Sequence, residues 1–414
     1  MKTNLSWVKE QFIVAKNATE QRSDAESRID WGIIFCVLML ALIGLASIYV
    51  AAKHDTSGTS ITSAVVSQLA WYVIGTVAII IIMQFDSEQL WKVAPVLYGL
   101  GIFLLLAVLV FYSRAYFVNT GAKSWFAIGS LTFQPSEVMK PAFILMLARV
   151  VTEHNNANPV HTVRSDWTLI GKLILWTIPV AVLLKLQNDF GTMLVFFAIV
   201  GGVILVSGIT WKIIAPAFGL IAVVGGSALA LVTTSGGQKL LQTVGFKAYQ
   251  FSRVNTWLHP SQDTTDSGYQ LWQSMKAVGS GGIFGTGFNV SHVYVPVRES
   301  DMIFSVIGEN FGFIGGCVLI FLYFLLIYQM IRVTFDTKNV FYAYISTGVI
   351  MMILFHVFEN IGMSIGLLPL TGIPLPFVSQ GGSALIGNLI GIGLIMSMRY
   401  HYKSYMFSRN ESFK

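Results

Sequence analysis

Residues 30–52 read DWGIIFCVLMLALIGLASIYVAA, an apolar run with no charge between Asp30 and Lys53. At 1.5 Å of rise per residue, about 20 such residues cross the roughly 30 Å of bilayer hydrocarbon as a helix. Nine further runs of comparable character follow, near 65–85, 90–112, 135–151, 167–186, 190–209, 211–232, 302–331, 339–365 and 383–399. Composition agrees: 54% of the 414 residues are hydrophobic and 11% charged, against about 25% charged in a soluble domain. The expected fold is therefore an all-α polytopic membrane protein of about ten transmembrane helices. The longest polar interval, about 233–300, then forms a large extracellular loop between the seventh and eighth spans.

Lysine and arginine set the orientation. Lys2, Lys9, Lys16, Arg22 and Arg28 precede the first run; Arg149, Arg164, Lys212, Arg332 and Lys338 occupy alternate loops; Arg399, Lys403 and Arg409 follow the last run. All share one side if both termini are cytoplasmic, as the positive-inside bias requires. The chain divides into a cytoplasmic tail at 1–29, a membrane domain at 30–399 and a second cytoplasmic tail at 400–414. This bias accounts for the net charge of +6, so no nucleic-acid partner is read from it. The polar tail excludes a signal peptide as the first element. Cys36 and Cys317 both fall inside apolar runs and read as small core residues, not as a disulfide.

Polar residues inside such a chain are the functional suspects, because lipid exposure of a charge costs a few kcal/mol or more. Pro135 suits a first helical turn, Ser136 is placed to cap it, and Glu137 and Lys140 stand three apart on one face. Two readings stand: a structural ion pair, or a pair in which Lys140 meets an anionic substrate. Asp189, in Gln187-Asn188-Asp189-Phe190-Gly191-Thr192, either caps the next helix or lines a cleft. The glycines of 279–287 lack the Lys-Ser/Thr ending of a nucleotide loop and read as tight turns packed against spans. Asp301, Glu309, Asn310, Glu359 and Asn360 form a last polar cluster. The prolines and glycines of 368–383 mark an irregular outer segment that is buried in protein or lines a cavity.

The motifs Phe-Gln-Pro-Ser-Glu at 133–137, Asp-Phe-Gly-Thr at 189–192, Ser-Gly-Tyr-Gln at 267–270, Gly-Ser-Gly-Gly at 279–282, Asp-Met-Ile-Phe at 301–304 and the 359–383 segment occur in this order. Together they resemble the SEDS family, the shape, elongation, division and sporulation proteins typified by RodA, FtsW and SpoVE. Ile373-Pro374-Leu375-Pro376 looks most like the RodA branch. The resemblance implies ten spans and a peptidoglycan glycosyltransferase that polymerises lipid II during elongation, at the outer face of the bacterial cytoplasmic membrane. Matched position by position, the family's essential outer-loop acid is Asp263, and Glu137 and Lys140 fall on functionally important positions. Asp266, Val297 and Gln380 depart from the usual pattern, where relatives commonly carry glycine, glutamate and tyrosine.

Glycan growth from a lipid diphosphate needs a base for the acceptor hydroxyl and cations for the departing diphosphate. Asp263 is the candidate general base; ligation of Mg²⁺ or Mn²⁺ is its alternative role, and no organic cofactor is expected. Lys140, Lys123, Arg253, Lys276 and Arg298 are the candidate cations, with Glu137, Ser379 and Gln380 completing the substrate-binding set. No Ser/His/Asp set for acyl transfer is evident, so peptide cross-linking falls to another protein. The resemblance implies a class B penicillin-binding protein, contacting the spans at the eighth and ninth, with other elongation-complex membrane proteins nearby. A flippase for the same lipid is the main alternative and would spread polar residues through the membrane depth. A non-catalytic scaffold is the third reading.

Overall fold

The computed structural model describes residues 28–55, 60–129, 131–243, 256–261 and 266–405. Asp263 and Arg253 lie outside the described residues. The elements in order are α1 (Trp31–Lys53), α2 (Ile61–Ile82), α3 (Ser87–Phe111), α4 (Arg114–Thr120), the strands β1 (Phe126–Ile128) and β2 (Leu131–Phe133), α5 (Pro135–Ala157), α6 (Val163–Leu186), α7 (Phe190–Val206), α8 (Trp211–Thr233), α9 (Ser235–Thr243), α10 (Asp266–Ser280), α11 (Ile303–Thr337), α12 (Val340–Ser364) and α13 (Gly382–Tyr405). The ten runs of the sequence appear as α1, α2, α3, α5 to α8 and α11 to α13. The small antiparallel hairpin, with Phe126 opposite Phe133, and α4 were not anticipated within 113–134.

Eight of these helices are long and apolar enough to cross a membrane. The other two are informative. α7 has only 17 residues. α5 carries Glu137, Lys140, Arg149 and Glu153, and most of its 23 residues are buried. It is the central helix, packed against α3, α6, α7, α12 and α13, so protein and not lipid is its solvent. Around it α13 packs on α2, α12 on α7 and α11 on α1. α8 is buried only at Ile213 and Ile214 in its first turn; its remaining apolar surface suits lipid. Cys36 is a core residue as expected, but Cys317 is exposed on α11.

Several ends follow local rules. Asp30 accepts from the amide of Ile33 at 3.0 Å to start α1, and Asp86 and Gln89 close a reciprocal capping box on α3. Asn339 accepts from Phe341 N–H at 2.9 Å to start α12.

The glycine-rich loop at 279–287 earns its composition from α11. That helix breaks at Gly312, where φ is +64° and ψ −160°, and a break at membrane depth strands backbone polar groups unless protein satisfies them. The loop does so. Thr286 and Gly287 donate to the carbonyls of Glu309 and Asn310 at 2.9 and 3.2 Å, while Phe313 and Ile314 donate to Gly282 and Ile283 carbonyls at 2.9 and 3.2 Å. A Cβ at Gly285 would stand 2.1 Å from the Asn310 carbonyl oxygen, and one at Gly312 2.4 Å from the amide of Gly285. The glycines here serve backbone-to-backbone packing, as the turn reading of the sequence expects.

Candidate functional site

The N-terminus of α5 is built by local chemistry. Pro135 takes the first helical position, where an N–H is not needed, and Glu137 lies in the first turn, favoured by the helix dipole. Ser136 does not cap the helix: Gln134 is the N-cap residue, and Ser136 is buried at the second position with its hydroxyl unpartnered. The Gln134 amide instead donates to Asp189 Oδ2 at 2.8 Å. Asp189 also accepts from Thr192 N–H through Oδ1 at 3.2 Å. One carboxylate therefore caps α7 and joins it to α5, so both sequence readings of Asp189 hold. Burial pushes its carboxyl above the ordinary range, against the opposing pull of those hydrogen bonds and of Lys140.

Lys140 is 1% exposed. Its Nζ lies 2.7 Å from Glu137 Oε2 and 2.9 Å from His356 Nε2. His356 Nδ1 stands 2.6 Å from the carbonyl of Met352. A carbonyl only accepts, so Nδ1 carries the proton and Nε2 is left as an acceptor for the ammonium. Lys140 is thus ion-paired within α5 and hydrogen-bonded to α12. His356 was missed by the sequence reading, because a lone histidine on an apolar helix carries no local signal of its partner.

These groups lie on the wall of a cavity of about 1010 Å³ at the loop-rich end of the bundle. It draws on segments far apart in the chain: Gln134, Glu137 and Lys140; Asn188 to Thr192; Tyr269 and Gln270; Asp301; and Leu370 to Pro374, with Trp125 and Trp257 as aromatic walls. Five of the motif regions singled out in the sequence thus converge on one space.

The loop elements are fastened to α12. Trp257 Nε1 donates to the Gly366 carbonyl at 3.0 Å, and Ser274 of α10 donates to the Ser364 carbonyl at 2.9 Å. Asn360 donates to the carbonyls of Asp301 and Ile373 at 2.7 and 2.8 Å, tying the start of α11 to the irregular segment. That segment is secured on its other side by Tyr72, which donates to the Phe377 carbonyl at 2.6 Å. Burial with protein partners is the condition under which such backbone survives at membrane depth.

The remaining cationic candidates separate by environment. Arg298 is buried, with NH2 donating to Glu309 Oε2 at 2.9 Å and NH1 to Ser291 at 2.6 Å; Glu309 Oε1 accepts from the amides of His292 and Val293. This pair braces the loop before α11, and Arg298 does not line the cavity. Lys123 sits over the rings of Tyr112 and Phe117 at 5.3 and 5.6 Å, and exposed Lys276 over Trp272 at 5.9 Å. Neither lines the cavity, although Ala122, Ser124 and Trp125 beside Lys123 do. Ser379 is buried, donating to the Ser300 carbonyl at 2.6 Å and accepting from Leu375 N–H at 2.8 Å. The Gln380 backbone N–H donates to the Glu299 carbonyl at 2.9 Å. Among the cation candidates in described residues, Lys140 alone reaches the cavity wall.

The described residues do not fit a divalent-cation site by themselves. No group of three histidine, cysteine, aspartate or glutamate residues among them is arranged to hold a metal, and the oxygens of Asp189 and the carboxylate of Glu137 are already engaged.

Asp301 faces the cavity from the loop before α11, and burial pushes its carboxyl from 3.8 up to about 7. The sign of the consequence follows. A native carboxyl that titrates higher than its unfolded counterpart holds a proton the unfolded chain has lost, so stability falls as pH rises between 3.8 and about 7 and is level above. Asp301→Asn is expected to flatten that part of the curve, read as thermal unfolding in detergent across the same range; an unchanged slope in the variant would assign the titration elsewhere.

The family model for cell cycle proteins, that of FtsW, RodA and SpoVE, matches residues 28–404. The chain is 32% identical over 375 residues to stage V sporulation protein E of Bacillus subtilis, covering 88% of this chain and 95% of that one. It is 30% identical over 434 residues to peptidoglycan glycosyltransferase RodA of Treponema pallidum, covering 90% and 98%. Among solved structures, one described as the structural coordination of polymerization and crosslinking by a peptidoglycan synthase complex matches with TM-score 0.73 and 27% identity, covering 92% of this chain and 99% of that one. The crystal structure of Thermus thermophilus rod shape determining protein RodA matches with TM-score 0.63 and 28% identity, covering 90% and 97%. With a family model spanning nearly the whole membrane part and relatives matched over most of their length, this chain belongs to the FtsW, RodA and SpoVE family of polytopic membrane proteins, the SEDS family.

Proposed function

We propose that this protein is a peptidoglycan glycosyltransferase that polymerises lipid II into β-1,4 glycan strands, with the cavity as its substrate site. The observation that carries the reading is the convergence of five separated motifs on one polar cavity whose wall presents a buried ammonium. Relatives curated as peptidoglycan glycosyltransferases support it. Aromatic faces beside amides and carboxylates suit hexose rings, which offer an apolar face and hydroxyl edges; a cation suits a diphosphate.

In the proposed step the acceptor 4-hydroxyl oxygen attacks the donor's anomeric carbon, and the bond from that carbon to the diphosphate oxygen breaks with inversion. Asp263 takes the hydroxyl proton, and the electron pair of the broken bond leaves on the polyprenyl diphosphate. Asp263 stands in sequence between Thr256–Trp257 and Tyr269–Gln270, all of which line the cavity. Lys140 meets the negative charge that grows on the leaving oxygen, the kind of pre-placed donor that acts most strongly away from bulk water. In its alternative role Asp263 would help hold a Mg²⁺ or Mn²⁺ ion, which would supply positive charge to the diphosphate.

Both termini are placed on the cytoplasmic side and the cavity on the outer side, and the role is assigned to elongation. A class B penicillin-binding protein, seated against the helices, supplies cross-linking; the synthase complex whose structure this chain resembles supports that pairing. The test is conversion of purified lipid II by the full chain, with and without a penicillin-binding partner lacking its own polymerase, in Mg²⁺, Mn²⁺ and EDTA. Long glycan strands are expected with the partner. Their absence in every arm, together with lipid II transfer across vesicles by the same protein, would replace this reading with transport.

A further inference from the structure

Lys140 could hold many orientations as a flexible four-carbon side chain, and a diphosphate site works only if one donor points at the ligand. Two contacts restrict it. Glu137, one turn earlier on α5, is ion-paired with it at 2.7 Å. The second contact, at 2.9 Å, is with His356, which comes from α12, 216 residues away, and is itself 1% exposed. The imidazole is keyed in turn by its bond to the Met352 carbonyl at 2.6 Å, which holds the proton on Nδ1 and the lone pair toward Lys140. Glu137, Lys140 and His356 all line the same cavity.

Resting on the reading of the cavity as a diphosphate site, we propose that His356 is a positioning residue: by accepting a hydrogen bond from the Lys140 ammonium, it holds the side chain so that a free donor is aimed at a diphosphate oxygen. A side chain without an acceptor at this position leaves the lysine unanchored on the α12 side.

The experiment uses the full chain in detergent, with binding of a polyprenyl diphosphate measured against the matching polyprenyl alcohol as control. It is run at neutral pH. Wild type, His356→Gln and His356→Phe are compared, with polymerisation kinetics alongside. His356→Phe, which offers no acceptor, is expected to weaken diphosphate binding and raise KM for lipid II by about 10-fold or more, the range for losing a hydrogen bond to a charged group. His356→Gln, whose amide oxygen supplies an acceptor, is expected to restore most of that loss. Wild-type affinity in a folded His356→Phe overturns the proposal, as does a loss in His356→Gln equal to that in His356→Phe. A protein whose diphosphate binding follows this order of variants but which makes no glycan would leave the positioning role standing and defeat the proposed function.

Discussion

Asp263→Asn is expected to lower lipid II polymerisation by about 10²–10⁴-fold, the usual contribution of a general base, while leaving thermal stability in detergent close to wild type. Asparagine nearly matches aspartate in shape but takes no proton, so the acceptor hydroxyl must attack without shedding charge. Two features of the surroundings support a chemical and not a structural role. The residues that flank this position in sequence, Trp257 and Tyr269, belong to the cavity wall, and His259 and Ser261 just before it are exposed. Asp266→Asn, three residues on, serves as the neighbouring control. Equal losses in the two variants would point to general disturbance of the loop. Full activity in Asp263→Asn would remove the residue from catalysis and return attention to Asp301, a carboxyl on the cavity wall that burial pushes up to about 7.

Lys140→Met is expected to cost both stability and activity, and the two losses separate by a second substitution. Removing the ammonium leaves Glu137, 3% exposed, as a buried charge without its partner at 2.7 Å; breaking such a pair from one side costs about 3–5 kcal/mol. It also removes the donor proposed to meet the leaving diphosphate, a class of contact worth about 10²–10³-fold in kcat. In the double variant Lys140→Met with Glu137→Leu no charge is stranded, and apolar replacement of a buried pair is often neutral in stability. Thermal unfolding of the double variant is therefore expected to return toward wild type while polymerisation stays lost. Recovery of polymerisation along with stability would show that the pair only holds α5 in place, the plainer of the two readings its spacing allows.

Arg298 shows why a cation near a motif is not yet a substrate contact. In the sequence it stands three residues before Asp301 and looks as available as Lys140. Its partner Glu309 lies eleven residues on, beyond the turn into α11, and the two face each other only because the loop folds back against the broken helix. Lys123 likewise settles over Tyr112 and Phe117, rings that local spacing does not single out, whereas Lys276 covers Trp272 one turn earlier on α10, a pairing that helical spacing allows. His356 is the converse case. Nothing in Leu354-Phe355-His356-Val357 marks it, yet it holds the one ammonium that reaches the cavity wall among the candidates in described residues.

What the amino-acid sequence determined by itself was whatever depends on neighbours in the chain. Apolar run lengths set the ten long helices, Pro135 and Asp189 set helix starts, and the spacing of Glu137 and Lys140 set their pairing on one face. The irregular segment was legible as 368–383 because its prolines and glycines cannot continue a helix, although the last helix already starts at Gly382. Only the tertiary structure decided which charges are spent on each other and which are left for a ligand. That choice depends on groups tens to hundreds of residues apart being brought within about 3 Å, where a buried donor must find an acceptor. It also explained α5: a helix too polar to face lipid becomes stable at the centre of the bundle, where neighbouring helices replace the membrane as its surroundings.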